Sequence, residues 1–299
     1  MGPVTRSPAG FGYGAHVPLA GRGTKYSKAR HAVEWTLGHA YRGHWPARIV
    51  RALGMQRRVH VRHHRVTAVR WPAGVRPLRI AFASDLHAGP TTHPSLLDEA
   101  FELLASTGAD LILLGGDYVF LTAGYIPWIA ERLAKLRAPL GIFGVLGNHD
   151  LWADDAAIVA ALSSAGARML VNERVVLSAP FEHVTLAGLD DPWTGIVPTL
   201  PVFTEDDRVR VILTHAPETM LHLGDQPFEL AMCGHTHGGH IALPGGIPIL
   251  VPGPLSRVHA HGRYDLTNDR TLIVSRGIGG TEVALRLNAD PDILVIELG

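Results

Sequence analysis

Between residues 78 and 150 one pattern recurs three times: a short apolar run, a polar cluster directly after it, then a stretch with helical spacing. Leu78-Arg79-Ile80-Ala81-Phe82-Ala83 leads into Asp85-Leu86-His87, Leu111 to Leu114 into Gly116-Asp117, and residues 141–146 into Gly147-Asn148-His149-Asp150. Apolar runs this short, bounded by glycine and polar residues, read as buried strands. The intervening segments predict helices over Ser95 to Thr107, with Ser95 as cap and Asp98 three residues on, over 125–137 and over 153–165. Such alternation calls for largely parallel strands with helices outside. From 175 onward strands dominate, at 184–189, 209–214, 230–233, 271–275 and 293–298, with one helix near 217–223. The expected product is an α/β fold, a four-layer α/β/β/α sandwich of two face-to-face mixed sheets.

A chain of 299 residues suits one large domain plus an extension. The boundary is expected at residue 77, with a basic, partly helical extension over 1–77 and the domain over 78–299. A helix is predicted at 27–53, interrupted near Gly43 and Pro46. Formal net charge is zero, but residues 1–80 carry 15 Lys or Arg against Glu34 alone, and residues 81–299 carry 12 against 26 acids. Arginines such as Arg42, Arg48, Arg51, Arg57 and Arg58 alternate with Trp35, Trp45, Val50, Leu53 and Met55. This extension fits first a solvated arm packed on the acidic domain, second an anionic membrane surface, and only third a nucleic acid. No apolar stretch reaches the ~18 residues of a membrane span, and Met1 to Gly23 has no apolar leader. The expected location is cytoplasmic, with a peripheral membrane position as the variant. The single Cys233 excludes an intramolecular disulfide and a thiolate metal cluster, and reads as a buried packing residue.

Asp85, Asp117, Asn148 and His215 each stand just beyond the carboxyl end of an apolar run, where open α/β sheets form their ligand crevice. Each alone has a plain structural reading, as a turn acid or a helix-entry residue. His235 and His237 carry more weight, because two imidazoles at i and i+2 between Gly234 and Gly238-Gly239 can face one way while the backbone approaches closely. Oxygen and imidazole donors without thiolate suit Mn, Fe, Zn, Co or Ni better than Mg or Ca. Ser84 lacks the glycine elbow of a nucleophilic serine. The other histidines, such as His31, His60, His63, His64, His93 and His261, read as structural.

Taken together and in order, Asp85-Leu86-His87, Gly116-Asp117, Gly147-Asn148-His149-Asp150, His215 and Gly234-His235-Thr236-His237 resemble the motifs of the calcineurin-like metallophosphoesterases over about residues 78–299. Gly116-Asp117-Tyr118-Val119, the stretch from His235 through Gly245 and Ser275-Arg276-Gly277 are similar to a bacterial membrane-associated phosphodiesterase branch. His240 departs from that branch, where Gln is common, and the membrane segment with which the branch usually begins is not expected here. The resemblance implies two divalent or trivalent transition-metal ions. Asp85, His87, Asp117 and His237 would hold one, and Asp117, Asn148, His215 and His235 the other. It also implies a hydroxide between the ions as nucleophile, with His149 stabilising the phosphoryl group and protonating the leaving oxygen, and Asp150 orienting the His149 ring and favouring its charged form.

The function so implied is hydrolysis of a phosphodiester or pyrophosphate on a lipid-linked or nucleotide-linked substrate. The alternatives are a cyclic-nucleotide phosphodiesterase and a non-catalytic, metal-stabilised membrane adaptor. A protein phosphatase fits less well, because Tyr118-Val119-Phe120 stand where such enzymes resemble an Asp-Arg-Gly pattern. The metals, the leaving group and the oligomeric state stay open.

Overall fold

Leu78, Ile80 and Phe82 alternate with Arg79, Ala81 and Ala83, so an extended chain here shows large apolar side chains to one face and Arg79 with two alanines to the other. In the computed structural model, which describes residues 28–198 and 201–299, this segment is an inner strand of a six-stranded sheet. The strands in chain order are β1 (His60–Val66), β2 (Leu78–Ala83), β3 (Leu111–Leu114), β4 (Ile142–Gly144), β5 (Ala167–Met169), β6 (Glu173–Val176) and β7 (Val184–Gly188). They continue as β8 (Val209–Leu213), β9 (Leu230–Cys233), β10 (Ala242–Leu243), β11 (Ile247–Pro248), β12 (Gly262–Asp265), β13 (Thr271–Val274) and β14 (Asp292–Leu298). The first sheet has the order β1-β14-β2-β3-β4-β5 and the second β12-β13-β9-β8-β7-β6, while β10 and β11 pair only with each other. Strands β2 to β5 are parallel, as are β7, β8, β9 and β13; β14 runs antiparallel to β2, and β6 and β12 close the second sheet antiparallel.

Burial separates the two faces of each sheet. Leu78, Ile80, Phe82, Leu111 and Leu113 meet Leu186, Val211 and Met232 of the second sheet in a fully apolar middle layer. Each such side chain taken out of water contributes roughly 1.5–3 kcal/mol. The helices are α1 (Lys28–Ala40), α2 (Trp45–Ala52), α3 (Pro94–Ser106), α4 (Ile126–Leu133), α5 (Asn148–Ala153), α6 (Asp155–Ser164), α7 (Thr219–Leu223) and α8 (Pro254–Val258). Helices α3, α4 and α6 cover the outer face of the first sheet through Leu97, Phe101, Ile129 and Leu162, against Ala81, Ile112 and Leu114. Leu223 and Phe228 cover the second against Ala187, Ile212, Ala231 and the buried Cys233. The fold is the four-layer α/β/β/α sandwich expected from the alternation.

Three local expectations change. The helix expected at 153–165 is α6, but a further helix, α5, precedes it from Asn148, and α6 starts only after Asp154, whose backbone is extended and whose Oδ1 accepts Ala157 N–H at 3.0 Å. Asp150 nucleates α5 by accepting Gly147 N–H at 3.0 Å, so the polar cluster after β4 is itself a first helical turn. Helix α3 is capped by the His93 ring, which accepts Ser95 N–H, and not by Ser95.

The third change concerns the boundary at residue 77. Strand β1 lies inside the segment expected as an extension, yet it pairs with β14 along its whole length, from His60 opposite Asp292 to Val66 opposite Leu298. Its sequence, His-Val-Arg-His-His-Arg-Val, hides this, because an edge strand that is only partly covered needs no strict apolar alternation and is protected from further pairing by its charges. Helices α1 and α2 also pack on the domain: Arg30 reaches Glu282 at 2.8 Å, the Tyr41 hydroxyl donates to Glu282 O, and Ala47 N–H meets Pro90 O. The first 27 residues of the expected extension, with the stretch Met1 to Gly23 read as lacking a leader, lie outside the described residues. Among the described residues no helix is long and apolar enough to cross a membrane.

Candidate metal centre

The polar clusters follow β2, β3, β4, β8 and β9, parallel strands whose carboxyl ends share one edge of the sandwich. The structure brings Asp85, His87, Asp117, Asn148, His215, His235 and His237 into one cluster there, with Asp117 between a group around His87 and a group around His215, and with His149 beside His87 and Asp117. On one side His87 Nε2 lies 3.1 Å from His237 Nε2 and 3.4 Å from Asp117 Oδ2, and His237 Nε2 lies 3.4 Å from Asp85 Oδ1. On the other, His215 Nε2 is 3.2 Å from Asp117 Oδ2, from Asn148 Oδ1 and from His235 Nδ1. Asp117 Oδ2 thus faces both groups, while its Oδ1 accepts the His149 backbone N–H at 2.8 Å and fixes the carboxylate between them.

Holding so many ligand-type atoms together strains the backbone. Asp85, His87, Asp117, His235 and His237 all have φ between 42° and 69°. Non-glycine residues seldom adopt the left-handed region, and clusters of them mark sites where surrounding structure enforces a conformation. The motif glycines are explained by space. A Cβ on Gly147 would overlap Asp117 Oδ1 and come within 2.7 Å of His215 Cε1 and the Asp117 backbone nitrogen, and one on Gly234 would overlap Asp85 Oδ2 and Ser84 Oγ. Gly147→Ala is therefore expected to leave the sheets intact but weaken metal binding by about 10- to 100-fold, the range seen when ligand placement is disturbed. Titration of metal into the metal-free variant, with circular dichroism as the fold control, checks this.

The donor set fits cations on grounds of hydrogen bonding alone. His215 Nδ1 meets Gly115 O at 2.8 Å, so in the neutral ring Nδ1 donates and Nε2 is left as an acceptor. That acceptor faces Asn148 Oδ1 and Asp117 Oδ2, acceptors themselves, in a place with no exposure to water. A cation among them, or an extra proton, is required. The electrostatics agree: burial disfavours a charged His215, yet Asp117, Asp85 and Asp191 hold its pKa well above the ordinary imidazole range. Burial likewise pushes the Asp117 carboxyl up, but the surrounding histidines, His215 foremost, keep it below the usual range. His87 and His235 are pushed down to about 4 and about 3, chiefly by burial, which leaves them neutral and able to bind a metal.

Asp150 does not take the place expected of it. Its carboxylate accepts the backbone N–H groups of Asp117, Tyr118 and Gly147 at 2.8 to 3.0 Å, tying the loop after β3 to the turn after β4. It positions backbone and does not hold the His149 ring. That ring packs instead among His87, Phe120 and Trp152, at centroid distances of 4.8, 5.4 and 4.9 Å. Burial depresses its pKa to about 3, the reverse of the charged form expected from a neighbouring Asp150. His240 lies 5.6 Å from the His237 ring and bonds Val283 O through Nε2 at 2.9 Å.

Several residues around the cluster were not singled out in the sequence. Buried Arg286 donates to His237 Nδ1 at 2.9 Å and to the carbonyls of Arg276, Gly279 and Ala289, binding the segment after β13 to the ligand loop. Trp193 stacks on His235, with centroids 5.6 Å apart, at the end of a loop held by Asp190 and Asp191. The Asp-Asp-Pro-Trp run following β7 was the available signal, because it too comes directly after an apolar strand. With Trp152 and Arg30, Trp193 walls a cavity of about 590 Å³ whose floor is Asp117, Asn148, His149, His235 and His237.

Known proteins are similar to this chain in sequence. The calcineurin-like phosphoesterase family matches residues 78–239. Phosphodiesterase YaeI of Escherichia coli is 33% identical over 74% of this chain and 82% of its own length. The uncharacterized metallophosphoesterase YkuE of Bacillus subtilis is 29% identical over 80% of this chain and 85% of its own. UDP-2,3-diacylglucosamine pyrophosphatase LpxG of Chlamydia trachomatis is 26% identical over 78% of this chain and 88% of its own. A matched span covering more than half of the chain, with every motif of the cluster inside it, makes this protein a member of the calcineurin-like phosphoesterase family, and a metal-dependent phosphoesterase.

Proposed function

We propose that the cluster holds two metal ions and hydrolyses a phosphodiester or pyrophosphate whose organic part is lipid-linked or nucleotide-linked. The observation that carries this is Asp117 Oδ2, which faces His87 on one side and His215 on the other and so suits a carboxylate shared by both ions. Asp85, His87, Asp117 and His237 serve one ion; Asp117, Asn148, His215 and His235 serve the second. A bound pair of this kind supplies activated water and neutralises phosphate charge. Mn, Fe, Zn, Co and Ni all suit the donors.

The remaining work falls to side chains of the cavity. His149, neutral and directed along the floor, donates a hydrogen bond to the phosphoryl group and stabilises charge developing there. Trp152, Trp193, Ile249 and Leu250 line the walls and match a substrate with a large apolar or aromatic portion. The names of two relatives, a phosphodiesterase and a diacylglucosamine-nucleotide pyrophosphatase, agree with that class. The basic helices α1 and α2 suit a peripheral position at an anionic membrane, each basic side chain near the surface adding about 1 kcal/mol.

Protein reconstituted separately with each metal and offered bis(4-nitrophenyl) phosphate, nucleotide sugars, glycerophospholipids and simple phosphomonoesters tests the reading. Hydrolysis of diesters or pyrophosphates that stops on chelation is expected. Turnover confined to monoesters, or unaffected by chelation, would overturn it.

A further inference from the structure

From Ile241 to Ser256 the chain carries no charged residue, although 18% of its residues are charged. Such a run belongs in a core, but here it stands outside one. It forms the isolated hairpin β10–β11, whose cross-strand partners Leu243 and Ile247 are 51% and 60% exposed, and then a loop in which Ile249 and Leu250 are 62% and 76% exposed. Val283 and Leu287 extend the apolar surface, because Ala242 bonds the Leu287 carbonyl and Asn288 bonds that of Ala242. Scattered exposed aliphatics are ordinary; a contiguous patch marks an interaction surface.

This patch forms one rim of the metal cavity through Ile249, Leu250 and Val283, and α1 forms another through Arg30. Residues 28–58 carry seven Lys or Arg against Glu34 alone, and they also expose Trp35, Trp45, Ile49 and Leu53. Of the sixteen large hydrophobic side chains exposed among the described residues, thirteen lie in 33–55, 243–258 and 283–287. Apolar side chains set among cations match the acyl boundary and headgroups of an anionic bilayer. A second copy of the chain fits poorly, since a two-fold contact would set the basic helices against each other.

We propose that the hairpin 242–248 and the loop through Leu250 insert into the acyl boundary of an anionic membrane while the basic side chains of 28–58 rest on its headgroups. The cavity then opens at the lipid surface. This builds on the peripheral-membrane part of the reading above and adds the element that inserts.

Cys233 is buried, so the full-length Ile247→Cys variant takes a single nitrobenzoxadiazole label. With phosphatidylglycerol vesicles its emission should shift to the blue and rise several-fold, with no such change on phosphatidylcholine. A label at Asp225→Cys, in the loop entering β9 at the opposite ends of the parallel strands, should not respond. Leu243→Glu combined with Ile247→Glu should reduce partition onto anionic vesicles by about tenfold or more. That double variant should keep wild-type hydrolysis of a soluble diester, and a failure of soluble turnover in the wild type would count against the hydrolase reading alone. Unchanged emission at 247 on vesicles that bind the protein, or absence of binding, overturns the proposal. So does a shift that follows protein concentration without lipid, which would assign the patch to self-association.

Discussion

Asp117→Asn is expected to lower bound metal below one ion per chain and to reduce turnover by more than about 10³-fold, beyond the 10²–10³ typical of losing one charge-stabilising donor. The reason is geometric. Oδ2 stands 3.4 Å from His87 Nε2 and 3.2 Å from His215 Nε2, so one carboxylate oxygen faces an imidazole nitrogen of each group. The amide keeps the shape, and can keep the bond from the His149 N–H, but removes the negative charge that both groups share. His235→Ala, which touches one group only, should cost less metal and less rate. Elemental analysis beside steady-state kinetics separates the outcomes; two ions per chain with near-normal turnover would remove Asp117 from the shared position.

His149→Ala should do the opposite, retaining both ions while turnover falls by about 10²- to 10⁴-fold. Its ring lies on the cavity floor against His87, Phe120 and Trp152; a ring nitrogen comes within 4.8 Å of ligand-type atoms of His87 and Asp117, but the closer contacts of 3.1 to 3.4 Å within the cluster run between the other residues. Because burial pushes its pKa down to about 3, the ring is neutral at ordinary pH and acts as a hydrogen-bond donor. The loss should then be similar for good and poor leaving groups, and His149→Gln, which keeps an N–H, should recover part of the rate. A loss confined to poor leaving groups would instead assign proton transfer to the ring.

The difference between these two residues shows where a linear reading stops. Asn148-His149-Asp150 are adjacent, and adjacency suggested that Asp150 serves His149. In a helical first turn, however, successive side chains point in directions about 100° apart. Asp150 therefore turns back to the backbone of residues 117–119 and 147, while His149 points along the cavity. Arg286 has no local signal for a related reason: it acts on His237, 49 residues away, and no local pattern encodes such a contact.

The sequence by itself determined the layers and the set of ligand-type residues. The apolar runs at 78–83, 111–114, 209–213 and 230–233 are satisfied as strands covered on both faces, and the polar residue after each run then emerges at a strand end. Only the tertiary structure decided that β1, polar at five of its seven positions, closes the first sheet, and that five of the ligand-type residues take left-handed backbone. It alone placed the uncharged run 241–256 at the mouth of the cavity. Strand periodicity is a local property of the chain, whereas edge pairing, strain and exposure depend on which distant segments arrive beside it.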